Sequence, residues 1–120
     1  MSKKILIVDD DRMCLTLIRF ALKEQLYEVE SAEDGLQGLE AVKTFRPDLI
    51  VLDVQMPKMS GFEFISEMKT IPGANTIPVI MLTANENMHD VFLGEGAKDY
   101  FVKPIDPPRI LARIRECLGS

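Results

Sequence analysis

Short apolar runs alternate along the chain with stretches of helical periodicity, and this alternation limits the possible folds more than any other feature. Three of the runs are strongly apolar: residues 5–8 (ILIV), 48–53 (DLIVLD) and 77–82 (IPVIML). Apolar runs of this length are typical of strands that are buried on both faces of a parallel sheet. The weaker run YEVES around Val29 and the run DYFV at residues 99–102 complete a set of five predicted strands.

The stretches between these runs have the periodicity of amphipathic helices. We predict helices over residues 13–25, 36–45, 62–69 and 88–95, and a last helix that begins at Pro107 or Pro108. In the first helix, polar side chains recur at spacings of three and four, so we expect Leu17, Phe20 and Ala21 on the opposite, inward side. The inward face of the last helix is expected to hold Ile110, Leu111, Ile114, Cys117 and Leu118.

Strands that alternate with helices predict an α/β fold, with one parallel sheet and helices on both of its faces. The 120 residues contain no linker, repeat or low-complexity tract, so we expect a single domain over residues 1–120. Right-handed crossovers leave few topologies, and the doubly wound strand order 2-1-3-4-5 is the natural one at this size. In such a sheet, ligands bind at the carboxyl ends of the strands, near the switch in strand order.

Reactive side chains follow four of the predicted strands directly. They are Asp9 and Asp10 after the first strand, Asp53 at the end of the third, Thr83 after the fourth and Lys103 after the fifth. Because the carboxyl ends of parallel strands meet at one edge, we expect three carboxylates, a hydroxyl and an ammonium to converge there. Asp11 has a simpler explanation as the N-cap of the first helix, and Gly61 is expected to serve a turn.

Such a cluster of carboxylates needs a cation. At an effective dielectric constant of about 20, two carboxylates about 5 Å apart repel each other by about 3 kcal/mol. Oxygen ligands at a half-open site suit Mg²⁺, which often accompanies phosphoryl groups in proteins. Lys103 could neutralise a phosphate oxygen, and the Thr83 hydroxyl could donate to another. A carboxylate in these surroundings can itself be the nucleophile and form an aspartyl-phosphate.

The motifs VDDDRM, DLIVLDVQMPKMSG, PVIMLTAN and GAKDYFVKP, in this order and at these spacings, resemble the receiver domain of bacterial two-component response regulators. The resemblance covers the whole chain and implies the CheY-like, flavodoxin-like fold. It implies that Asp53 accepts a phosphoryl group from the phosphohistidine of a sensor histidine kinase or phosphotransfer protein. It further implies that Asp10 ligates Mg²⁺ directly, that Asp9 acts largely through coordinated water, and that the backbone carbonyl of Gln55 is another ligand.

The resemblance also implies a switch made of Thr83 and Tyr100, in which the hydroxyl moves onto the phosphoryl oxygen and the aromatic ring turns inward. A cis peptide bond between Lys103 and Pro104 is implied as well. Such a domain assists its own phosphorylation and dephosphorylation but is not otherwise an enzyme, and it signals to a downstream protein. We favour a stand-alone regulator; the alternative is a receiver domain cut from a larger regulator with a DNA-binding or enzymatic output domain.

Charge and hydropathy exclude several other classes of function. A net charge of -5 with scattered basic residues argues against direct nucleic-acid binding by this domain. The start of the chain does not resemble a signal peptide, and no apolar run is long enough to insert into a membrane. Cys14 and Cys117 form no CxxC pair and lie among apolar residues at helical spacing, so we expect buried, reduced thiols and a cytoplasmic location. The single histidine, His89, is expected at the surface.

Two other classes share part of the pattern. A flavodoxin-like FMN protein would need a hydroxyl- and glycine-rich turn after the first strand, where this chain has the acidic VDDDRM. A Mg²⁺-dependent phosphatase with a covalent aspartyl intermediate would carry a second acid two residues after its nucleophile, where this chain has Gln55. We therefore expect Mg²⁺ and no organic cofactor.

Overall fold

The computed structural model describes residues 2–84 and 97–119, and within them it contains one parallel sheet. Its strands are β1 (Lys4–Val8), β2 (Glu28–Ala32), β3 (Leu49–Asp53), β4 (Val79–Thr83) and β5 (Asp99–Val102). They lie in the order β2-β1-β3-β4-β5, which confirms the predicted doubly wound topology. Residues at or near the carboxyl ends of neighbouring strands lie opposite one another: Val8 and Leu52, Asp53 and Leu82, Thr83 and Val102. The carboxyl ends of the central strands are therefore level with one another.

Four helices connect and follow the strands in the described ranges. They are α1 (Arg12–Glu24), α2 (Gly35–Phe45), α3 (Gly61–Met68) and α4 (Pro107–Leu118). The first three lie within one residue of their predicted starts and ends, and α4 begins at Pro107, as predicted. The helix predicted over residues 88–95, and with it His89, lies outside the described residues.

The helices cover both faces of the sheet, because alternate side chains of each strand point to opposite faces. Leu6 and Val8 of β1 pack in a core with residues of α2 and α3. Ile5 and Ile7 of the same strand pack in a second core with residues of α1 and α4. As predicted, Ile110 and Ile114 are buried in that second core, and Leu111, Cys117 and Leu118 pack against it.

The inward face predicted for α1 was wrong. Leu17 and Phe20 are 47% and 67% exposed, and only Ala21 is half-buried. The buried face consists instead of Cys14, Leu15, Ile18 and Leu22. The polar stripe of α1 has apolar residues on both sides, and packing against the sheet and α4 decides which of them become buried.

The residues at the helix starts fix where the chain leaves the sheet. Asp11 caps α1 as predicted, because its carboxylate accepts hydrogen bonds from the backbone N–H groups of Met13 and Cys14. Ser60 and Glu63 form a capping box at the start of α3.

The peptide bond between Lys103 and Pro104 is cis. Among the described residues, no helix combines the length and hydropathy needed to cross a membrane.

Leu26 follows α1 in the left-handed region, with φ of 66°, and its side chain is 81% exposed. Leucine is strained in this conformation, which glycine adopts freely. Leu26→Gly is therefore expected to raise the free energy of unfolding by about 1 kcal/mol in urea denaturation. Leu36→Gly is the matched control. Leu36 is an exposed leucine in the first turn of α2, where glycine should lower the free energy of unfolding by about 0.5 kcal/mol. A loss of stability in both variants would contradict the strain at Leu26.

Candidate functional site

Three carboxylates meet at the carboxyl edge of the sheet. Asp9 is fully buried, Asp53 is 5% exposed and Asp10 is exposed. One oxygen of each carboxylate lies within 4.8 Å of the others. The backbone N–H of Asp9 donates to the carbonyl of Ala32 at 3.1 Å, which continues the pairing of β1 with β2 to this point. Strand register therefore holds two of the three acids in the protein interior.

Lys103 is the cation that the structure places against these acids. Its Nζ lies 3.0 Å from Oδ2 of Asp9 and 3.6 Å from Oδ1 of Asp53. Burial opposes the charge of the ammonium, but its hydrogen bond to Asp9 and the charges of Asp53 and Asp9 outweigh this effect and raise the pKa of Lys103. One ammonium does not balance three carboxylates, so the cluster keeps an excess of negative charge.

Asp53 has an acidity unlike that of an ordinary aspartate. Burial and the neighbouring Asp9 carboxylate raise the pKa of Asp53 to about 7, although the charge of Lys103 opposes the shift. Its Oδ1 accepts a long hydrogen bond, 3.4 Å, from the backbone N–H of Gln55. Without a further cation, the folded protein therefore retains a proton on Asp53 that a solvated carboxylate would lose.

The arrangement fits a divalent cation with oxygen ligands. Oδ2 of Asp9 is buried, and no donor among the described residues makes a hydrogen bond to it, since the Lys103 ammonium is close but poorly aligned. This oxygen has lost its hydration, and the charge of Lys103 3.0 Å away compensates without a hydrogen bond to it. Asp9, Asp10 and Asp53 supply only oxygen, the ligand atom that Mg²⁺ prefers in half-open sites. The residues present therefore suit Mg²⁺.

Thr83 and Tyr100 belong to the face of the sheet opposite the one that carries Asp9 and Asp53. Thr83 is the last residue of β4 and is 3% exposed. Tyr100 is half-buried, packs against the core formed with α2 and α3, and lies opposite Met81. Since Met81 and Thr83 are two residues apart on β4, the Thr83 and Tyr100 side chains share that face. The backbone N–H of Lys103 donates to the Thr83 carbonyl at 2.7 Å. This hydrogen bond joins the end of β4 to the residue that follows β5.

The expectation for Gly61 was wrong, and the sequence did not predict that Cys14 and Arg12 lie near the acids. Gly61 serves close packing rather than a turn, because a Cβ there would lie 2.9 Å from the backbone oxygen of Asp53. Cys14 is buried near the acids, and burial followed by the effect of Asp9 raises the pKa of its thiol. Arg12 forms an ion pair with Glu33 at the rim. Of these, only the loop glycine had a local signal in the sequence.

The fold and the acid cluster together define a CheY-like α/β domain, and comparisons with known proteins agree. Residues 5–115 match the family model of the response regulator receiver domain. The chain belongs to this family, which serves two-component signalling.

Among curated relatives, the chain is 40% identical over 120 residues to the alkaline phosphatase synthesis transcriptional regulatory protein PhoP of Bacillus subtilis (strain 168), covering 98% of this chain and 49% of the relative. It is 37% identical over 117 residues to the DNA-binding response regulator MtrA of Mycobacterium tuberculosis (strain H37Rv), covering 96% of this chain and 50% of that protein. The chain thus spans about half the length of these relatives.

Solved structures are similar over their full length. Chemotaxis response regulator CheY4 of Vibrio cholerae superposes with a TM-score of 0.91 at 32% identity, covering 98% of this chain and 100% of CheY4. The receiver domain of sensor histidine kinase PA1611 from Pseudomonas aeruginosa PAO1 superposes with a TM-score of 0.90 at 28% identity, covering 100% of both chains. That structure has a magnesium ion coordinated in its active site cleft.

The raised pKa of Asp53 predicts how the metal-free protein responds to pH. As pH rises from about 4 to about 7, the unfolded chain loses the Asp53 proton first, so this group lowers the stability of the fold across that interval. Asp53→Asn should therefore raise the free energy of unfolding at pH 8 in a chelating buffer, by on the order of 2 kcal/mol, and by much less at pH 5.

Asp106→Asn is the control for this measurement. Asp106 precedes α4 at the surface without a side-chain capping hydrogen bond, so its loss should change stability by less than about 0.5 kcal/mol. Equal effects of Asp53→Asn at both pH values would contradict the raised pKa.

Proposed function

We propose that Asp53 accepts a phosphoryl group from the phosphohistidine of a sensor histidine kinase or phosphotransfer protein, and that the modified domain signals to a downstream protein. The observation that carries this proposal is the surroundings of Asp53. This buried carboxylate lies beside an ammonium and two further acids at one edge of the sheet. Membership of the receiver family supports it.

In the proposed reaction, a carboxylate oxygen of Asp53 attacks phosphorus in line with the histidine nitrogen. The bond from phosphorus to nitrogen breaks, and the leaving imidazole keeps the electron pair. Lys103, already 3.6 Å from Asp53, stabilises negative charge on the phosphoryl oxygens. The hydroxyl of Thr83 donates to one of these oxygens.

Asp10, the water-mediated Asp9, Asp53 and the backbone carbonyl of Gln55 would hold Mg²⁺. When bound, Mg²⁺ would supply positive charge to the transferring group. Positive charge here also favours the ionised form of Asp53. Without that charge, burial keeps the pKa of Asp53 raised to about 7. The nucleophile would then be a carboxylate at neutral pH.

Thr83 and Tyr100 are proposed as the switch. They share one face of the sheet, and Thr83 lies level with the acceptor across neighbouring strands. We expect the Thr83 hydroxyl, on moving toward the phosphoryl group, to leave space into which the half-buried Tyr100 ring turns. This movement would convert a local charge into a changed surface.

The phosphodonor protein is proposed to dock on α1. Met13, Leu17 and Phe20 form an exposed apolar stripe on this helix. Beside it lies a groove of about 550 Å³, which Lys103 and Ile105 also line. A donor that covers this stripe can place its phosphohistidine at Asp53, because the same groove reaches the acceptor's lysine.

The comparisons support two different answers to the question whether further domains accompany this receiver. CheY4 is matched over its full length, which favours a stand-alone regulator. PhoP and MtrA are matched over half of theirs and are named as a transcriptional and a DNA-binding regulator, which favours a larger protein. In either case we propose one receiver domain over residues 1–120. Its cytoplasmic location and its lack of direct DNA binding stay predictions from the sequence.

Incubation with acetyl phosphate tests the acceptor directly. We expect intact mass spectrometry to detect one added phosphoryl group in the presence of Mg²⁺, and none in a chelating buffer or in Asp53→Asn. Asp11→Asn is the matched control. Asp11 caps α1 outside the metal cluster, and asparagine caps helices equally well, so this variant should be modified normally. If the wild type gives no adduct and does not respond to beryllofluoride with Mg²⁺, the proposed function is wrong.

A further inference from the structure

Arg12 is an exposed cation at the rim of the acid cluster. It is the first residue of α1, and its Nε lies 3.3 Å from Oε1 of Glu33, which follows β2. Their side chains are 83% and 50% exposed. An ion pair this open to water contributes little to stability, so Arg12 can leave Glu33 at low cost.

The backbone places this ion pair close to Asp9 and Asp10 of the acid cluster. Asp9 is hydrogen-bonded to Ala32, the residue before Glu33. Arg12 comes two residues after Asp10, and it lines the same groove as Lys103. The groove is therefore lined by two cations, one that follows β5 and one at the start of α1.

An incoming phosphodonor meets unfavourable electrostatics. The protein has a net charge of -5, which one Mg²⁺ bound at the acids would change only to -3 (-5 + 2), and the phosphoryl group is itself anionic. Exposed charges at the mouth of a site change the rate of association more than the final affinity. A guanidinium suits this task, because its planar donors can bind two phosphate oxygens at once.

We propose that Arg12 exchanges Glu33 for the phosphoryl group of the incoming donor and so sets the rate at which anionic phosphodonors reach Asp53. The inference rests on the proposed function of Asp53. With acetyl phosphate, the bond from phosphorus to the acetyl oxygen breaks, a bond from phosphorus to an Asp53 oxygen forms, and acetate leaves with the electron pair.

The test is the second-order rate constant for phosphorylation by acetyl phosphate with saturating Mg²⁺. At low ionic strength, Arg12→Gln should lower it about three- to tenfold, and the difference should shrink below about twofold in high salt. Arg19→Gln is the matched control, since Arg19 is exposed on the same helix two turns away and should leave the rate unchanged. Phosphoramidate should give the same ratio between wild type and Arg12→Gln, because it shares only the phosphoryl group with acetyl phosphate.

Glu33 provides the second arm. Glu33→Gln should raise the rate about two- to fivefold by freeing Arg12, whereas Glu30→Gln, an equal charge change on β2, should not. In the Arg12→Gln background, Glu33→Gln should lose this effect, which a double-mutant cycle measures.

The proposal is overturned if Arg12→Gln matches Arg19→Gln, if its effect persists in high salt, or if Glu33→Gln is equally effective without Arg12. Absence of any adduct in the wild type would instead refute the function proposed for Asp53. The two failures are therefore distinguishable.

Discussion

Repulsion among Asp9, Asp10 and Asp53 is the constraint on which the rest of the site depends. One carboxylate oxygen from each meets within 4.8 Å, and two of the three side chains are almost inaccessible to water. Lys103 offsets part of this charge, and Asp53 retains its proton up to a pH of about 7. The metal-free fold therefore holds a local instability that a divalent cation would relieve. Binding of that cation and activation of the nucleophile would then be the same event.

The sheet creates this arrangement through register and alternation. Side chains alternate between the two faces along β1, β3 and β5. In this alternation, the positions of Asp9, Asp53 and Lys103 belong to the face that packs against α1 and α4. Thr83 and Tyr100 belong to the opposite face, which packs against α2 and α3. The acceptor and its charges thus lie on one side of the sheet edge and the proposed switch on the other. The Thr83 hydroxyl is at the end of β4, which lies between β3 and β5. It is therefore placed to connect the acceptor with the proposed switch.

Much of this was predictable because strand ends are marked in the sequence. Apolar runs located the strands, the first polar residue after each run located the site, and parallel pairing brought these residues together. The buried face of α1 was not predictable, since Leu17 and Ile18 are equally apolar and only packing on the sheet separates them. Contacts between distant segments, such as Arg12 with Glu33, leave no local pattern. The close packing of Gly61 on Asp53 likewise depends on the tertiary path of the loop.

The response of stability to Mg²⁺ tests the central claim most directly. The free energy of unfolding of the wild type, measured in urea at pH 8 and constant ionic strength, should rise with Mg²⁺, by about 2.7 kcal/mol at a hundred times the dissociation constant. Asp10→Asn should be more stable than the wild type in a chelating buffer, because it removes repulsion, and should gain much less from Mg²⁺. A wild type whose stability does not change with Mg²⁺, or an Asp10→Asn variant that gains as much, would contradict the account.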